Sequence, residues 1–576
     1  MKKAVVLLFS FLLASWAQSA TYYVDCAASG DSGAGTSTTT AWRTINRVNI
    51  SSFSPGDSIL FKRGCTWLEQ LKAPSSGAAG NPITFGAYGS GAKPIIRGIV
   101  VNARAYINFN ALQVDDAPGD AIDVYGQSSN LTFDSVDVHR AFKAGFHCRN
   151  AGQAIQNVTF ANGEISYCSG NGLSIADDTT GTVIRGNTVH HNCRLNYPAD
   201  AGAVSPDHEF TAGVKVTGTC PNSLIERNLV YSNGKGVASF AGSGIWLDGP
   251  VSGAIIRYNN IYQNDGNGIR LEEGATNSEV YYNVVHDQRM NEIQLTNHSG
   301  PSNNNKIYNN VAYSSGTYKT SGIAVGGSAG INDAKVYNNI SVGHTVFELD
   351  VTPTADNSGG GHGNVYEYNC FGPQSGNFIH YGPGWPDPGS GNADFSTYDA
   401  WEAAYGGRTY SVEADPKLTN PATGDFTLQA ASPCIDAGAD LGPSYSAALM
   451  PNSSWPSNVL TGNQYTAGQW WEIGAYLFPG ATPPPGGLTP SFTFSPKTPT
   501  QGQIVQFTDR SNGASAWNWD FGDGTRSTLG NPAHTYAAGG IYTVVLWVSN
   551  GVNWAKAKQT ITVTGAARVR RHLPKR

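Results

Sequence analysis

GVKVT 213–217, GIWLD 244–248 and GIRLE 268–272 share one pattern: a glycine, then apolar, variable, apolar, variable. Outward from these three, the pattern recurs as AIDVY 121–125, GFHCR 145–149, GLSIA 172–176, EIQLT 292–296, GIAVG 322–326 and VFELD 346–350, at intervals of 24 to 41 residues. Alternation with period two predicts a strand with one buried face, and nine recurrences predict a solenoid with one such strand per coil. A second row fixes the register: Asn187, Asn228, Asn259, Asn283, Asn310, Asn339 and Asn369 occur once per coil, each three residues after an apolar position. Amides stacked at one turn can bond up and down the pile and satisfy a buried corner.

The inward positions, from Ile122 and Val124 to Phe347 and Leu349, are all apolar and form the expected core. The other two positions of each block must face outward, about 4.8 Å from their equivalents in the next coil. One outward column reads Asp123, His147, Ser174, Lys215, Trp246, Arg270, Gln294, Ala324, Glu348. The second reads Tyr125, Arg149, Ala176, Thr217, Asp248, Glu272, Thr296, Gly326, Asp350. With its asparagine row and the GIWLDG and GNGIRLEE blocks, the stretch 105–382 resembles the right-handed parallel β-helix proteins of the pectate-lyase-like superfamily. That superfamily includes lyases, glycosidases, epimerases and binding proteins, so the resemblance implies a fold before it implies a reaction.

The chain has 576 residues, a net charge of −6, 14% charged residues and 69 glycines, which suits a turn-rich β protein of more than one domain and gives no nucleic-acid footprint. Residues 1–20, with Lys2, Lys3, an apolar AVVLLFSFLLA and AQSA at 17–20, read as a secretory signal peptide. No other stretch is apolar and long enough to span a bilayer, so the mature protein is expected to be soluble and secreted, with no membrane span; a monomer is expected. Eight cysteines would then meet an oxidising compartment; Cys26 with Cys65 and Cys193 with Cys220 are candidate pairs, and Cys148 is on an inward position.

Residues 21–104 read as the N-terminal cap and first helical segments, 105–382 as the repeats and 383–480 as the closing segment, with DPKL 415–418, DFTL 425–428, SPCIDAG 432–438 and WEIGAY 471–476. A Pro/Gly-rich linker at 481–489 follows. WNWDFGDGT 517–525, NPAHTY 531–536 and GGIYTVVLWVSN 539–550 resemble a PKD domain, which implies a small immunoglobulin-like β-sandwich over 490–564 before a basic tail, 565–576. The expected fold class is all-β. Asp520 and Asp523 read as turn residues of that sandwich.

Chemistry is expected where the outward columns depart from ordinary solvated strand. Lys215, Trp246, Asp248, Arg270 and Glu272 bring two cations, an indole and two carboxylates together on three coils. Trp246 offers a stacking face for a sugar ring, Arg270 a planar fork for a uronate carboxylate, and Lys215 a base once like charge lowers its pKa. Asp248 and Glu272, with Asp177 and Asp178 after the third block, are candidate ligands for calcium; no organic cofactor is expected. His147 and Arg149, beside Asp123, form a second polar cluster, read as substrate-binding. The long insertion at 196–210 contains Asp207, His208 and Glu209, which resemble in altered order the D-P-H-E motif of alginate epimerases and place His208 at the lip of a groove. The expectation is therefore a secreted carbohydrate-active protein, foremost a lyase cleaving an acidic extracellular polysaccharide by β-elimination, with Lys215, Arg270, Asp248 and Glu272 catalytic. Lyase families with a calcium-binding aspartate quartet, or with paired lysine and arginine motifs, are not matched. The alternatives are a glycoside hydrolase using Asp248 and Glu272, a uronate epimerase, and a non-catalytic glycan-binding or adhesive protein.

Overall fold

A computed structural model describes residues 19–149, 152, 154–176, 178–193, 211–234, 242–297, 300, 302–318, 320–357, 361–374, 376, 378–382, 394–467, 471–478, 490–549 and 554–565. The chain divides into two compact units, one of residues 1–466 and 470–478 and one of residues 467–469 and 479–576. The first is a parallel β-solenoid of three sheets, with 14, 10 and 13 strands. Each coil contributes a strand to each sheet in turn: Val183–Arg185, then Thr188–His190, then Ala212–Thr217, for example.

A single residue turns the chain from the first sheet to the second. Arg227, Tyr258, Tyr282, Asn309, Asn338 and Tyr368 all adopt left-handed backbone conformations there, with φ between 48° and 59°. Side chains resist that region by roughly 1–2 kcal/mol per residue, so the next residue must stabilise the bend. In these six coils it is a ladder asparagine. Asn228, Asn259, Asn283, Asn310, Asn339 and Asn369 are fully buried, and each side-chain amide donates to the carbonyl oxygen of the next asparagine or of the backbone below it. A second ladder, absent from the sequence reading, runs Asn192, Asn233, Asn264, Gln288 at the corner after the second sheet.

The inward residues of the third sheet are buried as expected from Ile122 through Val325. Phe85, Phe109, Phe133 and Phe160 add a stack of rings along the first sheet. The third sheet also extends beyond the nine blocks, with Gln70–Lys72 and Gly98–Asn102 before them and Ile379–Tyr381 after. The ninth block is corrected by two residues: Ile323 pairs with Leu349 and Ala324 with Asp350. Asp350 therefore continues the first outward column, Glu348 takes the glycine position, and Phe347 packs on His380.

Residues 394–478 both cap and strap the solenoid. Helix Tyr398–Tyr405 places Tyr398 and Trp401 on the exposed end of the core, against Phe378 and Phe371. The chain then returns along the outside and docks on the left-handed corner: Tyr258 and Tyr282 hydroxyls donate to Ala447 and Tyr445 carbonyls, and Asn309 and Asn338 amides to Glu472 and Ala439. Cys26 and Cys65 form a disulfide in the N-terminal cap. The Cys193–Cys220 pairing is corrected: both are buried thiols at different turns, Cys193 after the second sheet and Cys220 after the third. Cys148 is a packed thiol in the core.

The second unit is a sandwich of a three-stranded and a four-stranded sheet around Phe507, Trp519, Phe521 and Tyr536. Asp520 and Asp523 accept hydrogen bonds from the Gly522 and Thr525 amides, as turn residues do. Among the described residues no helix is long and apolar enough to cross a membrane. Residues 1–18, where the signal peptide is expected, lie outside the described residues.

Candidate active site

The third sheet brings the five expected residues together in register. Lys215, Trp246 and Arg270 stand in one column, and Thr217, Asp248 and Glu272 in the other. Outward does not mean open, however. Trp246 is 1% exposed, with the Lys215 ammonium 4.2 Å from its ring centre and the Arg270 guanidinium 4.7 Å. Both cations crowd the indole, so the stacking face expected for a sugar is not available. Lys215 pairs with Asp248 at 2.8 Å, and Arg270 with Glu272. Burial pushes the Arg270 guanidinium below its ordinary value, against the pull of Glu272 and Asp248. The cluster is thus two matched ion pairs around a buried tryptophan.

This arrangement does not fit calcium. Asp248 and Glu272 each already hold a cation, Asp178 accepts the Thr219 hydroxyl at 2.7 Å, and Asp177 lies outside the described residues. His208, with Asp207 and Glu209, also lies outside them.

A cleft of about 1030 Å³ opens instead over the earlier coils of the same sheet. Asp120, Asp123, Lys143, His147 and Arg149 line it at one end, and Lys215 and Thr217 at the other. Each side chain is placed by its coil. His147 stands on Phe146–Cys148 between Asp123 and Ser174. Its Nδ1 donates to Asp120 Oδ2 at 3.1 Å, while the Ala144 amide donates to Asp120 Oδ1 at 3.0 Å. Burial works to raise the Asp120 carboxyl, but the bonds from His147 and Ala144 and the charges of His147 and Lys143 outweigh it and hold the group below the usual carboxylate range. Arg149 clamps Asp123 through two bonds of 2.7 Å and lies over the Tyr125 ring, its side chain still 43% exposed. Lys143 is exposed at the rim, without an ion pair among the described residues.

Chemically, this end of the cleft offers an imidazole whose Nδ1 is fixed by a carboxylate, leaving Nε2 as the reactive nitrogen, beside an exposed guanidinium and ammonium. Ligand atoms of Asp120, Asp123 and His147 lie within 4.8 Å of one another, a spacing that a metal ion could use, but Arg149 occupies Asp123. The sequence reading missed Asp120 and Lys143 because it counted only positions inside the repeated blocks. A signal was present: the residue before each of the first eight blocks reads Asp120, Ala144, Asn171, Ala212, Ser243, Asn267, Asn291, Ser321, with one acid in the column.

Comparison with known proteins agrees with this architecture. A family model described as a right handed beta helix region matches residues 97–248, and one described as a PKD domain matches residues 485–565. The chain is a parallel β-helix protein with a C-terminal PKD domain. A lacto-N-biosidase of Bifidobacterium longum subsp. longum is 39% identical over 82 residues, which is 13% of this chain and 5% of that protein. The chain thus spans a small part of that relative's length. Among solved structures, the GH136 lacto-N-biosidase from Eubacterium ramulus is 16% identical with a TM-score of 0.44, covering 63% of this chain and 68% of that one. Pectate lyase Pel9A is 15% identical with a TM-score of 0.39, covering 80% and 96%.

Proposed function

We propose that the protein is a secreted, glycan-acting enzyme that takes an acidic polysaccharide into the cleft over the first coils and breaks it by β-elimination. The Asp120–His147 pair beside Arg149 carries this reading. In β-elimination a uronate carboxylate is neutralised by cations so that the adjacent C–H becomes acidic; a base removes that proton, the electron pair forms a double bond to the neighbouring ring carbon, and the glycosidic oxygen on that carbon leaves and takes up a proton. Arg149 and Lys143 supply positive charge over the earlier coils of the cleft, and Lys215 lines it over a later coil. His147 is assigned as the base, with Asp120 fixing its tautomer. Lys215 keeps a positioning role, bonded to Asp248 at 2.8 Å and lying 4.2 Å from the Trp246 ring centre.

A hydrolase is the second reading, and a specific observation favours it: carboxylate oxygens of Asp120 and Asp123 approach within 4.8 Å, close to the spacing of about 5–5.5 Å used by retaining glycosidases. It ranks below the lyase because Arg149 already occupies both oxygens of Asp123, and the Asp120 carboxyl is held below the usual range, against a role as proton donor. Asp248 and Glu272 rank lower for the same reason. The PKD domain would add contact with the polymer. Incubation with acidic and neutral glycans separates the readings: unsaturated ends identify a lyase, reducing ends alone a hydrolase, and retention without either a binder.

A further inference from the structure

Four successive coils of the third sheet line the cleft with outward side chains, and one of the four brings no charge. In rung order they carry Asp123, then His147 and Arg149, then Ser174 and Ala176, then Lys215 and Thr217. The charged rungs on either side of Ser174 both turn away from it. His147 leans back one coil to Asp120, and Arg149 leans back one coil to Asp123 and the Tyr125 ring. Lys215 leans forward one coil, to Asp248 at 2.8 Å and to within 4.2 Å of the Trp246 ring centre. Rungs stand about 4.8 Å apart, so the strands carrying His147 and Lys215 are separated by about 9.6 Å. Between them the outward columns hold only the hydroxymethyl group of Ser174 and the methyl group of Ala176. Both residues are half-buried, and the Ala176 amide donates to the Cys148 carbonyl at 2.8 Å, so this floor is part of the regular ladder. Ala324 and Gly326, the other small pair in these columns, do not line the cleft, and Ala324 is buried.

The geometry points to Ser174 and Ala176 as the floor of a subsite that holds one uronate ring of the polymer, with His147 and Arg149 on one wall and Lys215 on the other. This inference rests on the reading of the cleft as a site for an acidic glycan. Each wall is held back by a carboxylate on the coil beyond it, Asp120 and Asp123 on one side and Asp248 on the other. The gap therefore exists before a ligand arrives, and no charged side chain has to move to admit the ring. The Ala176 methyl offers apolar contact to ring carbons, and the Ser174 hydroxyl can donate to or accept from a ring hydroxyl. Arg149, with its side chain 43% exposed, presents the remaining edge of its planar fork to the uronate carboxylate. A larger side chain at 174 or 176 would fill the space of the ring itself. Size at these two positions, rather than charge, then decides whether a uronate can lie between the walls.

The test separates binding from turnover. Tetragalacturonate and tetramannuronate are titrated calorimetrically into the full-length protein carrying His147→Gln, alone and combined with Ala176→Gly, Ala176→Val or Ala176→Leu. Cleavage rates are measured for the same Ala176 variants with His147 intact. Ala176→Gly should bind like its parent, and affinity should fall from Val to Leu, by about tenfold or more for Leu. Unfolding midpoints should stay unchanged, because the side chain faces the cleft and not the core. Ser174→Leu should reproduce the loss from the neighbouring position, and with Ala176→Val it carries the test if Ala176→Leu does not fold. Folded Val and Leu variants that bind and cleave as well as the native protein overturn the subsite alone, as does an equal loss in Ala176→Gly, which would mark a backbone effect. A native protein that neither binds nor cleaves either probe overturns the subsite together with the acidic-glycan reading beneath it.

Discussion

At the scale of single residues, the third sheet carries two kinds of charge cluster on one face. The cluster around Trp246 satisfies itself: each cation has its carboxylate, and the indole is buried. Its contribution is to stability, so Trp246→Ala should cost about 3–5 kcal/mol in denaturant unfolding, as large-to-small changes in a packed site do; a change confined to substrate affinity would show that the indole is open to ligand. The cluster around His147 still offers exposed cationic surface. His147→Gln should reduce turnover by about 10²–10⁴-fold, the usual general-base contribution, with the unfolding midpoint unchanged. Asp120→Asn should act through His147, lowering turnover less and shifting the pH profile. The sequence placed all of Lys215, Trp246, Asp248, Arg270 and Glu272 correctly on the outward face, because alternation fixes parity. It could not show that the outward face is covered there and open over His147, since burial depends on segments remote in sequence.

At the scale of elements, the corner between the first and second sheets concentrates the fold's specificity. The asparagine that follows each left-handed residue was legible in the sequence because it recurs once per coil; the second ladder was not, because Gln288 breaks its identity. The ninth block misled because Phe347 and Leu349 are both apolar and Glu348 and Asp350 both acidic, so a shift of two leaves the pattern unchanged and only the stacking decides. Asn259 makes the dependence measurable. It donates to Asn283 and to the Ile225 carbonyl and accepts from the Asn228 backbone and side chain, each at 3.0 Å. Asn259→Ala leaves buried partners unsatisfied at about 1–3 kcal/mol apiece, so it should lower stability by at least that much; a neutral result in urea titration would remove the ladder from the account. In the strap, burial raises the Glu472 carboxyl to about 8. The folded chain then holds this proton more tightly than the unfolded chain. The stabilisation is complete below the unfolded carboxyl pKa, near 4.3, and is lost as pH rises through about 8. Glu472→Gln should flatten the decline of stability with pH across that window, and an unchanged slope would assign the decline to other groups.

At the scale of the whole molecule, the solenoid and the PKD domain each have their own core. A chain ending at Gly480 should therefore fold with one cooperative transition and keep its activity on soluble polymer, losing only what the PKD domain adds on insoluble material; failure to unfold cooperatively would make the PKD domain part of the solenoid's assembly. The central claim is narrower and concerns the cleft. Its most direct test is the ultraviolet absorbance of unsaturated uronide ends, followed as the full-length protein and its His147→Gln variant are incubated with a panel of acidic polysaccharides. The account predicts that the absorbance rises on at least one acidic polymer with the native protein and not with the variant. Reducing ends released without that absorbance, or an equal rise from both proteins, would contradict it.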